Sequence, residues 1–379
     1  MSRGSRLRRE AYLDWNATAP LRPQARAAIT AAIAACGNPS SVHRWGRAAR
    51  RRVEESRKSV ARLVGAAPEN VVFVSGGTEA NHLALLGAGR RRVLVSAVEH
   101  NSVLDAVPDA ERLPVDGDGV VRLDVLKDRL AASAAPALVS VMAANNETGV
   151  LQPVTEAAAI AHAHGALFHC DAVQAVGRIR FDMAAIGADF VSLSAHKLGG
   201  PAGVGALVIG EGLDLAPMLR GGGQERRRRA GTENVPGIAG FGGAARAAET
   251  GVYDEVRQLR DALETELLAA APDAVVVGAG APRLPNTSAI AMPGIPAETQ
   301  VIALDLEGIM VSAGAACSSG KVGPSHVLAA MGLAPEIAAA TIRISLGWDT
   351  TAADIECFVQ AWKTLYRRRR GSIEEVRAA

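Results

Sequence analysis

The stretch ADFVSLSAHKLGG, residues 188–200, determines how we interpret the rest of the chain. Its first half is an almost continuous run of apolar and small residues, which is typical of a strand buried on both faces of a parallel sheet. Its second half places Lys197 directly after His196 and before two glycines. Most lysines lie in solvent. The position of Lys197 at the end of a buried strand raises a second hypothesis, that a pocket holds its amine for a Schiff base.

Similar apolar runs recur along the first 250 residues, and helix-like stretches lie between several of them. The runs are NVVFVS (70–75), RVLVSA (92–97), PALVSVMA (136–143), GALFHCD (165–171) and VGALVIG (204–210). This alternation predicts a doubly wound α/β domain with a mostly parallel sheet. After residue 250 a long helical pattern (253–272) leads into shorter strands, which favours a smaller α+β domain. We expect a large domain at 15–250 and a small domain formed by 1–14 and 251–379.

Composition excludes several classes of protein. The 379 residues carry a net charge of only +2, which gives no case for bulk nucleic-acid binding. The arginine runs 226–229 and 367–370 are interpreted as solvated faces or loops. No uninterrupted apolar run is long enough for a membrane span, and no apolar segment follows the basic start as in a secretory signal. The four cysteines form no CxxC pair, so we predict no structural metal site and expect a reducing cytoplasm.

Polar residues follow the predicted strands where those strands end. Ligands of parallel α/β sheets bind beyond the carboxyl ends of the strands, so these residues are expected to meet. They include a glycine loop that begins a helix, an imidazole, an amide pair, a carboxylate and a lysine. In chain order they are Gly77 and Thr78, Glu99 and His100, Asn145 and Asn146, Asp171 and Gln174, and His196 and Lys197.

Pyridoxal 5'-phosphate requires all of these groups together. It needs a lysine for covalent attachment and a carboxylate that keeps its ring nitrogen protonated. Its phosphate suits the free N–H groups at the start of a helix that follows glycines. Each group alone has an ordinary interpretation: Asp171 could cap a helix, and Lys197 could lie on the surface. Their coincidence at successive strand ends favours the cofactor site.

Ten motifs, in order and nearly end to end, resemble the cysteine desulfurases of the NifS/IscS type. They are YLDWNATAP (12–20), GNPSSVHRWGR (37–47), VFVSGGTEANHLAL (72–85), VEHNSVLDA (98–106), NNETGVLQPV (145–154), HCDAVQAVG (169–177), SLSAHKLGGPAGVGAL (192–207), RGGGQERRRRAGTENV (220–235), AGAACSSG (313–320) and TIRISLGWDTT (341–351). The resemblance implies the class V aminotransferase fold, which is the fold type I of pyridoxal-phosphate-dependent transferases. It therefore implies a mostly parallel seven-stranded sheet in the large domain.

The resemblance also implies a role for each matching residue. Lys197, His100 and Cys317 would be catalytic, and Asn146 and Arg343 would bind substrate. The cofactor would be held by Gly77, Thr78, His100, Asn146, Asp171, Gln174, Ser194, His196 and Lys197. Thr232 would reach the phosphate of a neighbouring subunit, so a homodimer with a shared active site is expected. A transient role of Cys317 as a cluster ligand is left open.

Cys317 selects the expected reaction, because the same fold also hosts transaminases and lyases. The resemblance implies that L-cysteine becomes L-alanine while its sulfur stays on Cys317 as a persulfide. An acceptor protein for iron–sulfur cluster assembly or tRNA thiolation would then take the sulfur. Two alternatives stay open: an aminotransferase or selenocysteine lyase that does not need Cys317, and a non-catalytic scaffold. Ala195 departs from the glycine often found there, and the short tail after the last motif leaves the acceptor undefined.

Overall fold

The computed structural model describes residues 10–248, 250–314 and 325–378, with side chains as far as residue 369. In chain order the elements are β1 (Ala11–Tyr12), α1 (Pro23–Ile33), α2 (Arg44–Leu63), β2 (Val71–Val74), α3 (Gly77–Gly87), β3 (Arg92–Ser96), α4 (Asn101–Leu104), β4 (Glu111–Leu113), α5 (Leu123–Ala131), β5 (Ala137–Ser140), α6 (Val154–Ala163), β6 (Leu167–Asp171), α7 (Met183–Ile186), β7 (Phe190–Ser194), β8 (Gly205–Ile209), α8 (Val235–Ala247), α9 (Tyr253–Ala270), β9 (Val275–Val276), β10 (Thr287–Ala291), α10 (Ala297–Asp305), β11 (Ile309–Met310), β12 (Ser312–Ala313), α11 (His326–Ala330), α12 (Pro335–Ala339), β13 (Thr341–Ser345) and α13 (Ala352–Ala378).

A seven-stranded sheet forms the centre of the chain, with the strand order β2-β8-β7-β6-β5-β3-β4. Only β8 runs against its neighbours; the other six strands share one direction. Their carboxyl ends therefore meet at one edge of the sheet. The predicted mostly parallel α/β sheet is confirmed. The short strand β4 escaped prediction because its sequence, ERL, lacks a continuous apolar run.

Both faces of this sheet are buried, as the apolar runs predict. In β2, Val71 and Phe73 pack into the core on one face, and Val72 and Val74 pack into the core on the other. Side chains alternate across a strand, so a strand covered on both sides needs an apolar residue at every position. Helices α2, α6 and α8 cover the first face, and α3 covers the second.

A second, four-stranded antiparallel sheet follows in the order β12-β13-β10-β9. Its core includes Phe358 and Trp362 of α13, both fully buried. Strand β1 pairs with β11 beside this core, so the N-terminal strand packs with the C-terminal third of the chain. The run GIMVSAG (308–314) does not form one strand: it contributes β11 and β12 to different sheets, with a break at Val311. The domain boundaries at 14/15 and 250/251 stay a prediction.

Within the described ranges, no helix has both the length and the apolarity needed to cross a membrane. The same ranges contain no cluster of three or more histidine, cysteine or acidic side chains that could hold a metal ion. Cys36, Cys170 and Cys357 are free thiols.

Candidate active site

A cavity of about 320 Å³ lies at the carboxyl edge of the seven-stranded sheet. It brings together most of the residues that the sequence singled out. The predicted residues that line it are Gly77, Thr78, His100, Asn146, Asp171, Gln174, Ser194, His196, Lys197 and Arg343. Thr232 does not line this cavity, and Cys317 lies outside the described residues.

Lys197 points into this cavity. It ends a short 3-10 turn that follows β7, which carries its side chain away from the sheet edge. Its Nζ donates hydrogen bonds to the backbone oxygens of Asn16 at 2.5 Å and Ala17 at 2.7 Å. The amine is thus held in the pocket by the loop after β1. This placement excludes the interpretation of Lys197 as a solvated surface lysine.

Asp171 is the last residue of β6 and its carboxylate is buried. One oxygen, Oδ2, accepts a hydrogen bond from Asn81 Nδ2 at 2.8 Å, and Oδ1 accepts one from the Val173 backbone at 3.0 Å. Two donors from different elements fix the orientation of the carboxylate. Asp171 therefore presents a buried negative charge to the cavity in a defined direction.

His100 caps the N-terminus of α4. Its Nδ1 accepts a hydrogen bond from the Ser102 backbone N–H at 3.0 Å and lies 2.8 Å from Ser102 Oγ. Burial lowers the pKa of His100; the charge of Asp171 acts against this shift, and Lys197 adds to it. At neutral pH the imidazole is therefore uncharged, with its unprotonated nitrogen facing Ser102.

The start of α3 forms one end of the cavity. Helix starts leave backbone N–H groups without partners in the helix, and these groups attract anions. A Cβ added at Gly77 would lie 3.1 Å from Val173 Cγ2 and 3.6 Å from Ser194 Cβ, so a side chain here would fill the cradle. Burial lowers the pKa of His196 to about 4, with Lys197 and Arg178 adding to the shift. His196 is neutral here and its Nδ1 lies 3.2 Å from Thr18 Oγ1.

Gln174 follows Asp171 by three residues and lies against the same cavity. Its Nε2 donates to the Asn16 backbone oxygen at 3.1 Å, and its Oε1 accepts a hydrogen bond from the buried Arg178. Asn146 lines the cavity, and its backbone oxygen accepts from Asn16 Nδ2 at 3.2 Å. The loop after β1 thus joins the amide residues to Lys197.

Arg343 reaches the cavity from the middle of β13, in the four-stranded sheet. Its Nη2 lies 2.7 Å from Asp14 Oδ1, and its Nη1 donates to the Asn146 backbone oxygen at 3.1 Å. The side chain is only 5 % exposed. Its Nε is buried and has no hydrogen-bond partner in the part of the chain that the structure describes. A buried guanidinium with an unused donor can bind the carboxylate of a small ligand.

Glu147, in the loop after β5, lies against residues on both sides of the range 315–324. Its Oε2 accepts a hydrogen bond from Ser325 Oγ at 2.6 Å. A Cβ at Gly314 would lie 2.9 Å from the same oxygen. Burial raises the pKa of Glu147 to about 7, although Ser325 and Arg343 act in the opposite direction. One buried carboxyl group therefore contacts both described residues that flank 315–324, the range that includes Cys317.

Thr232 lies in an exposed loop, and two ion pairs fix the residues that precede it. Earlier in this loop, Glu225, Arg226 and Arg227 have a left-handed backbone, with φ values of 44°, 55° and 65°. Such a run of non-glycine residues is strained. The buried Glu225 carboxylate is held by Arg57 at 2.7 and 2.8 Å and by the Phe73 backbone N–H at 2.8 Å. Arg226 and Arg227 are exposed, as predicted for this run, but Arg229 pairs with Glu79 at 2.9 Å.

Sequence reasoning missed four residues that organise the cavity: Asn16, Asn81, Ser102 and Glu147. All four lie inside motifs quoted above, but no local pattern distinguishes them from ordinary polar residues. Asn81 follows Gly77 by four residues, which places it one helical turn along α3 and beside the sheet. This helical spacing was the one signal that could have identified it.

The residues present fit pyridoxal 5'-phosphate. The cavity offers an amine, a buried carboxylate and a helix start with a glycine at its point of closest approach. It also contains Asn81 Oδ1, a buried acceptor without a partner in the described ranges. The amine matches the aldehyde of the cofactor, the carboxylate matches its cationic ring nitrogen, and the helix start matches its phosphate.

Comparisons with known proteins agree with this geometry. The family Aminotransferase class-V matches residues 11–358. A cysteine desulfurase of Cereibacter sphaeroides is 48 % identical over 91 % of this chain and 92 % of its own length. The cysteine desulfurase IscS of Dictyoglomus turgidum is 40 % identical, over 92 % of each chain. The solved structure of a NifS-like protein from Rickettsia africae matches with a TM-score of 0.87 and 37 % identity, covering 95 % of this chain and 100 % of that one.

These relatives confirm the resemblance, the fold class and the cofactor that the motifs implied. The seven-stranded, mostly parallel sheet is the sheet expected of that fold. The chain therefore belongs to the class-V aminotransferase family, within which it is a pyridoxal-phosphate-dependent cysteine desulfurase.

Proposed function

We propose that Cys317 is the residue that takes sulfur from L-cysteine, and that Lys197, His100 and Arg343 prepare the substrate for this step. The observation that carries the proposal is the position of Gly314. It lines the same cavity as Lys197, and it is the last described residue before the range that includes Cys317. The last described residue of this cavity wall therefore precedes Cys317 by three positions in the sequence.

Substrate binding follows from the charges around the cavity. Arg343 binds the carboxylate of L-cysteine, using the guanidinium edge that Asp14 and Asn146 leave available. Pyridoxal phosphate, when bound, supplies a cationic ring that withdraws electrons from the amino acid. Lys197 would attach the cofactor, Asp171 would hold its ring nitrogen protonated, and His100 would lie against its ring. Gln174 and Asn146 would bind the ring hydroxyl. Gly77, Thr78, Ser194 and His196 would bind the phosphate.

Proton and sulfur transfer are assigned to this chain's own side chains. The Lys197 amine, within the cavity, takes the proton from the substrate Cα. The Cys317 thiolate attacks the substrate sulfur, because the thiolate is the nucleophilic form. The Cβ–S bond breaks, a new S–S bond forms, and Cβ gains a proton, so that L-cysteine and one thiol yield L-alanine and one persulfide. An acceptor protein for iron–sulfur assembly or tRNA thiolation then takes the sulfur.

A labelling experiment tests the assignment of Cys317. The holoenzyme is incubated with L-[³⁵S]cysteine without reductant, and protein-bound label is located by peptide mapping. We expect label on the Cys317 peptide and its loss in Cys317→Ala, while Cys357→Ala, a matched control at a half-buried thiol, keeps it. Label that survives in Cys317→Ala, or amino-group transfer to a keto acid that is unaffected by it, would overturn the assignment.

We also propose a homodimer in which Thr232 reaches the phosphate site of the partner subunit. Thr232 is exposed in a loop held by Arg57–Glu225 and Glu79–Arg229, and it lies outside its own chain's cavity. Mixing Lys197→Ala chains with Thr232→Asp chains distinguishes the alternatives. Exchange between subunits creates one intact site per heterodimer, so desulfurase activity returns. No recovery, with heterodimers verified by mass and both parent chains inactive alone, means that Thr232 acts within its own chain. A Thr232→Asp chain that is active alone means that Thr232 has no role in the site.

We propose a large domain of residues 15–250, and a small domain of 1–14 and 251–379 that includes Cys317. We also propose a cytoplasmic location, since a thiol that accepts sulfur works best where thiols stay reduced. Cell fractionation of the tagged full chain, compared with a cytoplasmic marker enzyme, tests the location.

A further inference from the structure

Two side chains that line the cavity connect Asp171 with His100. Asn81, on α3, donates from Nδ2 to Asp171 Oδ2 at 2.8 Å and to Ser102 Oγ at 2.8 Å. Ser102 Oγ in turn lies 2.8 Å from His100 Nδ1. Asn81 and Ser102 are both buried, so water does not compete easily for these contacts. A continuous chain of hydrogen bonds thus runs from the buried carboxylate to the imidazole.

The charge of Asp171 gives this chain a direction. An ionised carboxylate only accepts hydrogen bonds, so the amide of Asn81 must present its NH₂ group to Asp171. The second N–H of that group then points at Ser102 Oγ, which acts as an acceptor. The hydroxyl hydrogen of Ser102 is left to donate onward, and His100 Nδ1 is the atom within reach. His100 Nδ1 must therefore carry a lone pair.

A second contact supports the same direction independently. The backbone N–H of Ser102 lies 3.0 Å from His100 Nδ1, and a backbone N–H can only donate. Both groups that face Nδ1 are thus donors. The proton of the neutral imidazole is left on Nε2.

We propose that Asn81 is a positioning residue of the active site, which acts through the Ser102 hydroxyl to keep the proton of His100 on Nε2. Asn81 touches neither the substrate nor the reacting atoms in this scheme. It couples the negative charge of Asp171 to the orientation of the Ser102 hydroxyl, which faces His100 Nδ1. This inference rests on the proposed function, which assigns the cofactor ring to both Asp171 and His100.

The proposal explains how His100 responds to its surroundings. The charged and titratable groups that face it are Asp171, Lys197, His326 and Asp105. A proton on Nδ1 would meet the N–H and the O–H of Ser102, both directed at it. Removing Asn81 releases the Ser102 hydroxyl, which can then turn and accept a hydrogen bond from a protonated Nδ1. The charged form of His100 becomes easier to form.

Histidine nitrogen NMR of the full-length chain, without cofactor and with it, tests the proposal without measuring catalysis. The chain has eight histidines, and a His100→Gln variant assigns the resonances of His100. We expect the wild-type chain to show an unprotonated Nδ1 and a protonated Nε2. In Asn81→Ala the pKa of His100 should rise by roughly half to one unit, as expected when one neutral hydrogen bond reverses. A wild-type tautomer with the proton on Nδ1 would overturn the proposal.

A double-mutant comparison separates this role from a merely structural one. If Asn81 acts through the hydroxyl, Asn81→Ala shifts the pKa of His100 in the wild-type background but not in the Ser102→Ala background. An equal shift in both backgrounds overturns the proposal. Asn81→Leu, which keeps the shape and removes the donors, replaces the alanine variant if that variant does not fold. The cofactor-free measurements stand even if sulfur transfer fails to involve Cys317, so the two proposals fail separately.

Discussion

The cavity has two walls, and they are built in different ways. The seven-stranded sheet supplies Asp171, Ser194 and Lys197 at or just beyond the carboxyl ends of neighbouring parallel strands. The four-stranded sheet supplies Arg343 from the middle of β13, where antiparallel partners lie on both sides. One wall gathers side chains by the direction of its strands. The other contributes a side chain from the face of a sheet.

This difference indicates that the two walls have separate roles. The strand-end wall contains the amine, the imidazole and the carboxylate, which hold the cofactor and move protons in the proposed mechanism. The sheet-face wall contains a guanidinium, which grips substrate. Glu147 lies between the two walls, since it comes from the loop after β5 and its carboxyl group lies against Gly314, which directly follows β12. Substitutions on the first wall should therefore stop the chemistry, and substitutions on the second should weaken binding.

The largest effect is expected at Lys197. Lys197→Ala removes the only amine among the described side chains that line the cavity, and desulfurase turnover should fall by at least about 10⁴-fold, the upper range for one proton-transfer group. The absorption band of the lysine-bound cofactor should disappear as well. Sulfide release and visible spectra measure both. Lys127→Ala, at an exposed position on α5, is the matched control and should leave turnover and band unchanged.

The contrast between the walls also explains what the sequence could predict. Buried parallel strands have local signatures, so their ends, and with them Asp171 and Lys197, could be located without a structure. Arg343 lies within a strand whose sequence, TIRIS, gives no sign of a site, and only the resemblance assigned it a role. Its contact with Asp14 spans 329 residues. The chain of Asn81, Ser102 and His100 was not predictable, because its direction depends on atoms brought together by the fold.

The next largest effect is expected at Glu147, on the free energy of unfolding. Its folded pKa of about 7 lies above the ordinary value of 4.5, because burial favours the neutral form. The folded state therefore binds the proton more tightly than the unfolded state does. The contribution of this proton to the free energy of unfolding is fully present below pH 4.5 and is lost as pH rises through 7. Glu147→Gln should raise the free energy of unfolding at pH 8 by up to about 3 kcal/mol, and by little at pH 4.5.

Urea unfolding of the full chain at both pH values measures this difference. Glu211→Gln, at an exposed position, is the control and should change the midpoint little at either pH. A Glu147→Gln chain that is less stable than wild type at pH 8 would show that the charged form is the stabilised one. The junction between the walls would then be an ion pair with Arg343 rather than a neutral hydrogen bond with Ser325.

The contribution of His169, a residue of β6, to the free energy of unfolding should depend on pH in the opposite direction. It is fully buried, with Nδ1 2.8 Å from Ser140 Oγ and Nε2 2.9 Å from Ser192 Oγ. Burial lowers its pKa to about 4 from 6.5. The neutral imidazole contributes up to about 3 kcal/mol to the free energy of unfolding. This contribution is present above pH 6.5 and is lost as pH falls through 4. His169→Gln should therefore flatten the acid side of the stability profile, whereas His164→Gln, at an exposed site, should not.

The smallest effect on catalysis is expected at Arg343. Arg343→Lys keeps the charge but loses the fork that binds a carboxylate at two points. Loss of one charge-assisted hydrogen bond predicts a fall in kcat/KM of about 10- to 100-fold, mostly through KM. The band of the lysine-bound cofactor should persist, because Arg343 belongs to the other wall. Arg283→Lys, whose arginine pairs with Glu264 outside the cavity, should leave KM unchanged. If Arg343→Lys instead abolished the band, the two walls would not act separately, and Arg343 would have to be counted among the groups that hold the cofactor.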